Sequence, residues 1–130
     1  MADNLLFDAS AILNLVRRQR LETLVAGCTL PLARYEVGNA VWRQVYLRRT
    51  LTLAEGTTAL EAVAAVMDRL PTRPIDGSAV LALAVQTGLT YYDAAYLQAA
   101  IHGDGVLVTD DATLAAAAQP YVETRSSEDL

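Results

Sequence analysis

The sequence predicts a small three-layer α/β domain with a mostly parallel sheet, and three observations carry that prediction. Short apolar runs of strand character are each followed by a segment of helical periodicity, the alternation that builds parallel sheets. The chain has 130 residues, the size of one domain. It is 53% hydrophobic and 19% charged with a mean hydropathy of +0.25, which suits a buried core rather than disorder.

The first unit runs from Asn4 to Asp8, a short apolar run ending at an acid, into a helix over Ala9 to Gln19 with Ile12, Leu15 and Val16 on one face. A second candidate strand, Cys28 to Leu32, leads into a helix over Ala33 to Arg49 striped by Val37, Ala40, Val41 and Val45. Leu53 to Leu70 reads as a helix stopped by Pro71, and Pro71 and Pro74 bracket a connector with room for a minor strand. Gly77 to Gln86 is again helical, as is Thr90 to His102, where Gly103 is expected as the C′ residue. Gly105 to Thr109 is a clear strand, followed by an alanine-rich helix at Ala112 to Ala118 that Pro120 ends. Tyr121 to Glu123 is a candidate last strand, and Arg125 to Leu130 reads as a frayed polar tail. Gly38, inside the second helix, costs roughly 1 kcal/mol against alanine and suggests close packing or a shifted boundary.

Composition removes much chemistry. The ten basic residues are all arginine, beside one histidine (His102) and one cysteine (Cys28). Without lysine there is no Walker lysine and no Schiff base, and no zinc site of the usual His/Cys kind can be built within one chain. A lone cysteine forms no internal disulfide, the start Met-Ala-Asp lacks a basic n-region, and the longest uncharged stretch, Gly77 to Tyr92, is too polar and short to span a membrane. A cytoplasmic protein is the expectation. Net charge is −5, yet residues 1–50 carry seven arginines against four acids and residues 51–130 three against eleven. That polarity reads either as two solvated faces or as a basic surface for phosphate.

Carboxylates remain for catalysis. Asp8 closes the first strand, Asp110 and Asp111 follow the strand ending at Thr109, Glu36 lies early in the second helix and Asp93 in the first turn of its own. Ligands of parallel sheets bind beyond the carboxyl ends of strands, so these acids share one candidate rim. The plainer explanation is helix capping, since acids complement helix N-termini, and Thr90 to Asp93 resembles a capping box. Capping alone leaves unexplained why strand exits carry acids while the starts at Gly77 and Leu51-Thr52 look free of them. Clustered carboxylates repel, and a divalent cation resolves the repulsion. Hard oxygen ligands suit Mg²⁺ or Mn²⁺, which points to phosphoryl chemistry by activation of water and stabilisation of a pentavalent transition state.

Leu6-Phe7-Asp8-Ala9-Ser10, Glu36 with Asn39, Thr90 through Leu97, and Leu107-Val108-Thr109-Asp110-Asp111 together resemble the PIN-domain ribonucleases, and among them the VapC-type toxins of toxin–antitoxin pairs. The resemblance spans about residues 4 to 122. It implies a five-stranded parallel sheet in the order 3-2-1-4-5, with residues 1–124 as the nuclease domain and 125–130 as a polar C-terminal tail. It implies Mg²⁺- or Mn²⁺-dependent endonucleolytic cleavage of RNA, leaving 5′ phosphate and 3′ hydroxyl ends. Asp8 and Asp93 correspond to the principal metal ligands, Glu36 and Asp111 complete a catalytic quartet, and Ser10 and Thr109 are supporting polar residues. Thr109-x-Asp111 matches the family's Thr-x-Asp pattern, which favours Asp111 over Asp110; Asn39 has no settled role. A VapB-type antitoxin that blocks the pocket and a homodimer or higher homo-oligomer are implied partners, with no membrane.

Arg17, Arg18, Arg34 and Arg43, with Arg20, Arg48 and Arg49, are candidates for RNA phosphates or for an oligomer or antitoxin interface. Trp42, Tyr46 and the tyrosines at 91, 92 and 96 read as core or interface before base-stacking platforms. Two further functions compete: a PIN-like module that binds RNA or protein without cutting, and a phosphoacceptor domain, which the missing lysine disfavours.

Overall fold

The computed structural model describes residues 4–130. β1 (Leu5–Phe7) leads through α1 (Ala9–Arg17) and α2 (Leu21–Val25) to α3 (Leu32–Trp42), which continues as a π-helical turn over Arg43–Leu47. Next come α4 (Leu53–Met67), α5 (Gly77–Thr87), α6 (Tyr91–His102), β2 (Val106–Val108), α7 (Ala112–Ala118) and β3 (Glu123–Arg125), then a 3₁₀ turn over Ser127–Asp129. The fold is α/β, as the alternation predicts; α2 is too short to show a period in sequence.

The strands pair in parallel in the order β1-β2-β3, with Leu6 opposite Leu107 and Leu107 opposite Thr124. β2 is central and buried throughout, and it is correspondingly all Val and Leu. β3 is the edge, where the Glu123–Arg125 ion pair places charge that discourages further strand addition.

Among the described residues three strands are found rather than five. Cys28 to Leu32 and the Pro71–Pro74 connector reduce to single parallel bridges, Leu6 with Cys28 and Thr29 with Thr72. Proline accounts for the brevity. Pro31 (φ −54) already has helical geometry at the entrance to α3, and Pro71 and Pro74 bring no N–H to a ladder. The last strand lies two residues beyond its predicted start, and the segment after it is docked rather than frayed. Ser127 is 1% exposed, its N–H donates to Asp110 Oδ1 (2.7 Å) and its hydroxyl accepts from Arg18 (3.0 Å).

Two groups of helices enclose the sheet. α1 packs on β1 and against α3 and α4, while α6 packs on β1 and β2 and against α5. Phe7, Ile12, Leu15, Leu97, Leu107 and Leu114 are fully buried between them, each worth roughly 1.5–3 kcal/mol of apolar transfer. No helix among the described residues is long and apolar enough to cross a membrane.

Helix starts follow local chemistry. Thr52 and Glu55 form a reciprocal capping box on α4, and Asp76 caps α5 by accepting from Ser78 and Ala79. Both starts that look acid-free in sequence therefore carry an acid, so acids at helix starts do not by themselves mark a site. Gly103 closes α6 at φ −84, outside the left-handed region expected of it; Asp104 (φ 51) takes that conformation. A Cβ at Gly103 would meet the Arg73 guanidinium, the end of a long side chain that would have to shift. Gly38 is the converse: α3 runs through it, and nothing lies within 4 Å of where its Cβ would stand, so the close packing is absent.

Candidate active site

Asp8 is the first residue after β1 and caps α1 in extended geometry (φ −85, ψ 176). It is 5% exposed and accepts hydrogen bonds at both oxygens. Oδ1 takes the Ser10 hydroxyl (2.7 Å) and the Ala11 N–H (2.9 Å), and Oδ2 takes the Thr109 hydroxyl. Each hydroxyl in turn accepts a backbone N–H, Ser10 from Asp110 and Thr109 from Asp111, both at 3.0 Å. Two small side chains thus tie the end of β1 to the end of β2 and fix Asp8 relative to the peptide carrying Asp111.

The other acids arrive on three helices. Asp111 caps α7 with Oδ1, accepting from Thr113 (2.9 Å) and Leu114 (3.0 Å). Asp93 is capped by Thr90 through its N–H (3.1 Å), but its carboxylate does not reciprocate and makes no hydrogen bond among the described residues. Glu36, in α3, accepts the hydroxyl of fully buried Tyr96 at 2.6 Å. Asp8, Glu36, Asp93 and Asp111 all line one cleft of ≈ 770 Å³, together with Ser10, Asn39, Arg43, Tyr35 and Tyr92.

Asp110 faces elsewhere. It accepts from Asn14 (2.7 Å) and Ser127 and lines a separate depression with Arg18. Of the arginines proposed for phosphate, Arg43 lines the cleft. Arg34 pairs with Asp68, Arg18 bonds Ser127 and lies 3.4 Å from Glu128, and Arg17 is exposed outside the cleft lining.

Burial divides these carboxylates electrostatically. It raises Asp8 above the ordinary aspartate range despite the bonds from Thr109, Ala11 and Ser10. It raises Glu36 against the Tyr96 bond, with repulsion from Asp93 and Asp8 adding to the effect. Asp93 is raised by burial and then by Asp111. For Asp110 burial is outweighed by Asn14, Ser127 and nearby Arg18, which together lower it.

Among the described residues no three His, Cys, Asp or Glu side chains gather closely enough to enclose one ion. A hard divalent cation needs no such cage, since Mg²⁺ commonly takes one or two carboxylates and keeps waters. The donor set fits that open mode: carboxylate oxygens alone, with repulsion that a cation would offset. Sequence reasoning missed Tyr96, Asn14 and Ser127 as partners of acids. Tyr96 was detectable, because it lies one helical turn after Asp93 and shares its face.

An acidic cleft at the carboxyl ends of parallel strands is the arrangement of a PIN domain, and the comparisons agree. A protein from Pyrobaculum aerophilum named Exonuclease VapC9 is 36% identical over 97 residues, 75% of this chain and 71% of that one. The crystal structure of PAE2754 from Pyrobaculum aerophilum matches with a TM-score of 0.82 at 30% identity, covering 99% of this chain and 94% of that one. No protein-family model matches. The chain belongs to the VapC family of PIN-domain proteins.

Proposed function

We propose that this protein is a Mg²⁺- or Mn²⁺-dependent ribonuclease and the toxin of a toxin–antitoxin pair. The observation that supports it best is the meeting of Asp8, Glu36, Asp93 and Asp111, from four separate elements, in one cleft. The relative named as an exonuclease supports nuclease chemistry.

In this reading Asp8 and Asp93 hold the ion, with Glu36 and Asp111 beside it. When bound, such an ion lowers the pKa of a coordinated water and offsets charge in phosphoryl transfer. Asp8 is fitted to its part by the Ser10 and Thr109 hydroxyls, which hold both oxygens in fixed directions. Asp93 presents a carboxylate that no donor among the described residues occupies. Arg43 supplies a guanidinium at the cleft wall for a phosphate, and Asn39 a neutral donor and acceptor beside it. No lysine or histidine lines the cleft, so proton transfer falls to the carboxylates and water.

The test is cleavage of single-stranded RNA with Mg²⁺ or Mn²⁺, compared with Asp8→Asn. Loss of cutting in the variant is the expected result, and equal cutting by both overturns the proposal. A circular RNA, which has no ends, separates endonucleolytic action, the expectation from sequence, from exonucleolytic action as in the relative's name. The antitoxin is proposed as an inhibitor entering the cleft, and a homodimer as the working form; co-expression with a neighbouring small open reading frame and sedimentation test these. The competing reading is a module that binds RNA or protein without cutting. RNA affinity without any Mn²⁺ binding would establish it.

A further inference from the structure

We infer that Tyr96 is a positioning residue of the cleft: its hydroxyl fixes Glu36 Oε1, so that Oε2 is the oxygen Glu36 offers to a bound divalent cation or its water shell. The inference rests on the metal-dependent reading above, and the observations that carry it are geometric. Tyr96 is 1% exposed, so its ring is held by the core rather than by the cleft. Its hydroxyl donates to Glu36 Oε1 at 2.6 Å across 60 residues of sequence, joining α6 to α3. No other hydrogen bond to the Glu36 side chain is found among the described residues, so Tyr96 is the hydrogen-bond partner that orients it.

The contact also sets the spacing of the acids. Asp93 and Tyr96 are three residues apart on α6 and share a face. One rigid helix therefore carries one acid and grips a second. Asp8 has two hydroxyls and an N–H for this purpose, and Asp111 two N–H groups of α7. For Glu36, a long side chain with three free torsions, the tyrosine replaces them. Outer partners that orient a ligand commonly contribute 10–100-fold to metal affinity or activity.

The experiment is a double-mutant cycle read by Mn²⁺ affinity, from the electron paramagnetic resonance of free ion, alongside turnover on single-stranded RNA. Tyr96→Phe keeps the ring and removes only the donor. It should weaken Mn²⁺ binding about tenfold and lower kcat by a similar factor, with KM for RNA within about twofold of wild type. In a Glu36→Ala background the same change should have no further effect on Mn²⁺ affinity, because Tyr96 acts through Glu36. Glu36→Asp, which keeps the charge but draws it back from the hydroxyl, supplies a second variant and should also bind Mn²⁺ more weakly. Wild-type Mn²⁺ affinity in Tyr96→Phe or Glu36→Asp, or an undiminished Tyr96→Phe effect in the Glu36→Ala background, overturns the inference. If the wild type cuts RNA and Tyr96→Phe is indistinguishable from it, the positioning role fails and the ribonuclease reading stands. If Tyr96→Phe loses Mn²⁺ affinity but the wild type cuts no RNA, the ribonuclease reading fails and the positioning role stands.

Discussion

Asp110 and Asp111 are adjacent in sequence, yet only Asp111 lines the acidic cleft. In the cleft Asp8, Glu36 and Asp93 are each raised above the usual carboxylate range by burial. Outside the cleft Asp110 is lowered, because Asn14, Ser127 and Arg18 outweigh its burial. Asp110 joins α1 to the segment that follows β3. The difference separates a carboxylate whose burial is compensated by its partners from three whose burial is not fully compensated.

The largest test of this contrast is in activity. Asp8→Asn and Asp93→Asn should each lower cleavage of single-stranded RNA by about 10³-fold, on the order of 4 kcal/mol of transition-state stabilisation. Asp110→Asn should leave a folded protein that retains the majority of its activity, and an equal loss there would erase the distinction. Next in size is stability. Asp110→Ala leaves the Ser127 N–H and the Asn14 amide without their acceptor and should cost about 2 kcal/mol in urea unfolding. Asp93→Asn should do the reverse in metal-free protein, raising stability by up to about 1 kcal/mol, since it removes a repelled carboxylate that makes no hydrogen bond among the described residues.

The smallest effect is a pH dependence with opposed signs. Asp8, Glu36 and Asp93 bind protons more tightly when folded, so their contribution favours the fold at low pH and is lost as pH rises through their raised values. Asp110 contributes stability above the ordinary carboxylate range that is lost as pH falls through its lowered value. Melting of metal-free protein should therefore weaken from the ordinary carboxylate range toward neutrality. Mn²⁺ should abolish that decline, and Asp93→Asn should flatten it. A decline unchanged in both would show that the cleft acids are not its source.

The cleft was largely legible in the sequence, because strand-end acids are local features and the parallel topology brings strand ends together. Asp8, Glu36, Asp93 and Asp111 are found in one cleft, as is Arg43. What was not legible depends on partners distant in sequence. Arg34 turns to Asp68 and Arg18 to Ser127, choices that nothing near them in the chain encodes. The same holds for Ser127, whose polar neighbours suggested fraying although it has an acceptor in Asp110, and for Tyr96, whose aromatic character suggested core alone. Strand number failed for a local reason, because prolines at 31, 71 and 74 shorten segments whose apolar content suggests longer pairing.

Gly38 places a reserve of thermostability in the helix that carries Glu36 and Asn39 to the cleft. The helix that delivers Glu36 and Asn39 contains a residue that forgoes about 1 kcal/mol of helix propensity, with open room for a methyl group. A Gly38→Ala background therefore gives an engineer a tougher host in which destabilised site variants can be compared at equal foldedness, without altering any carboxylate under study.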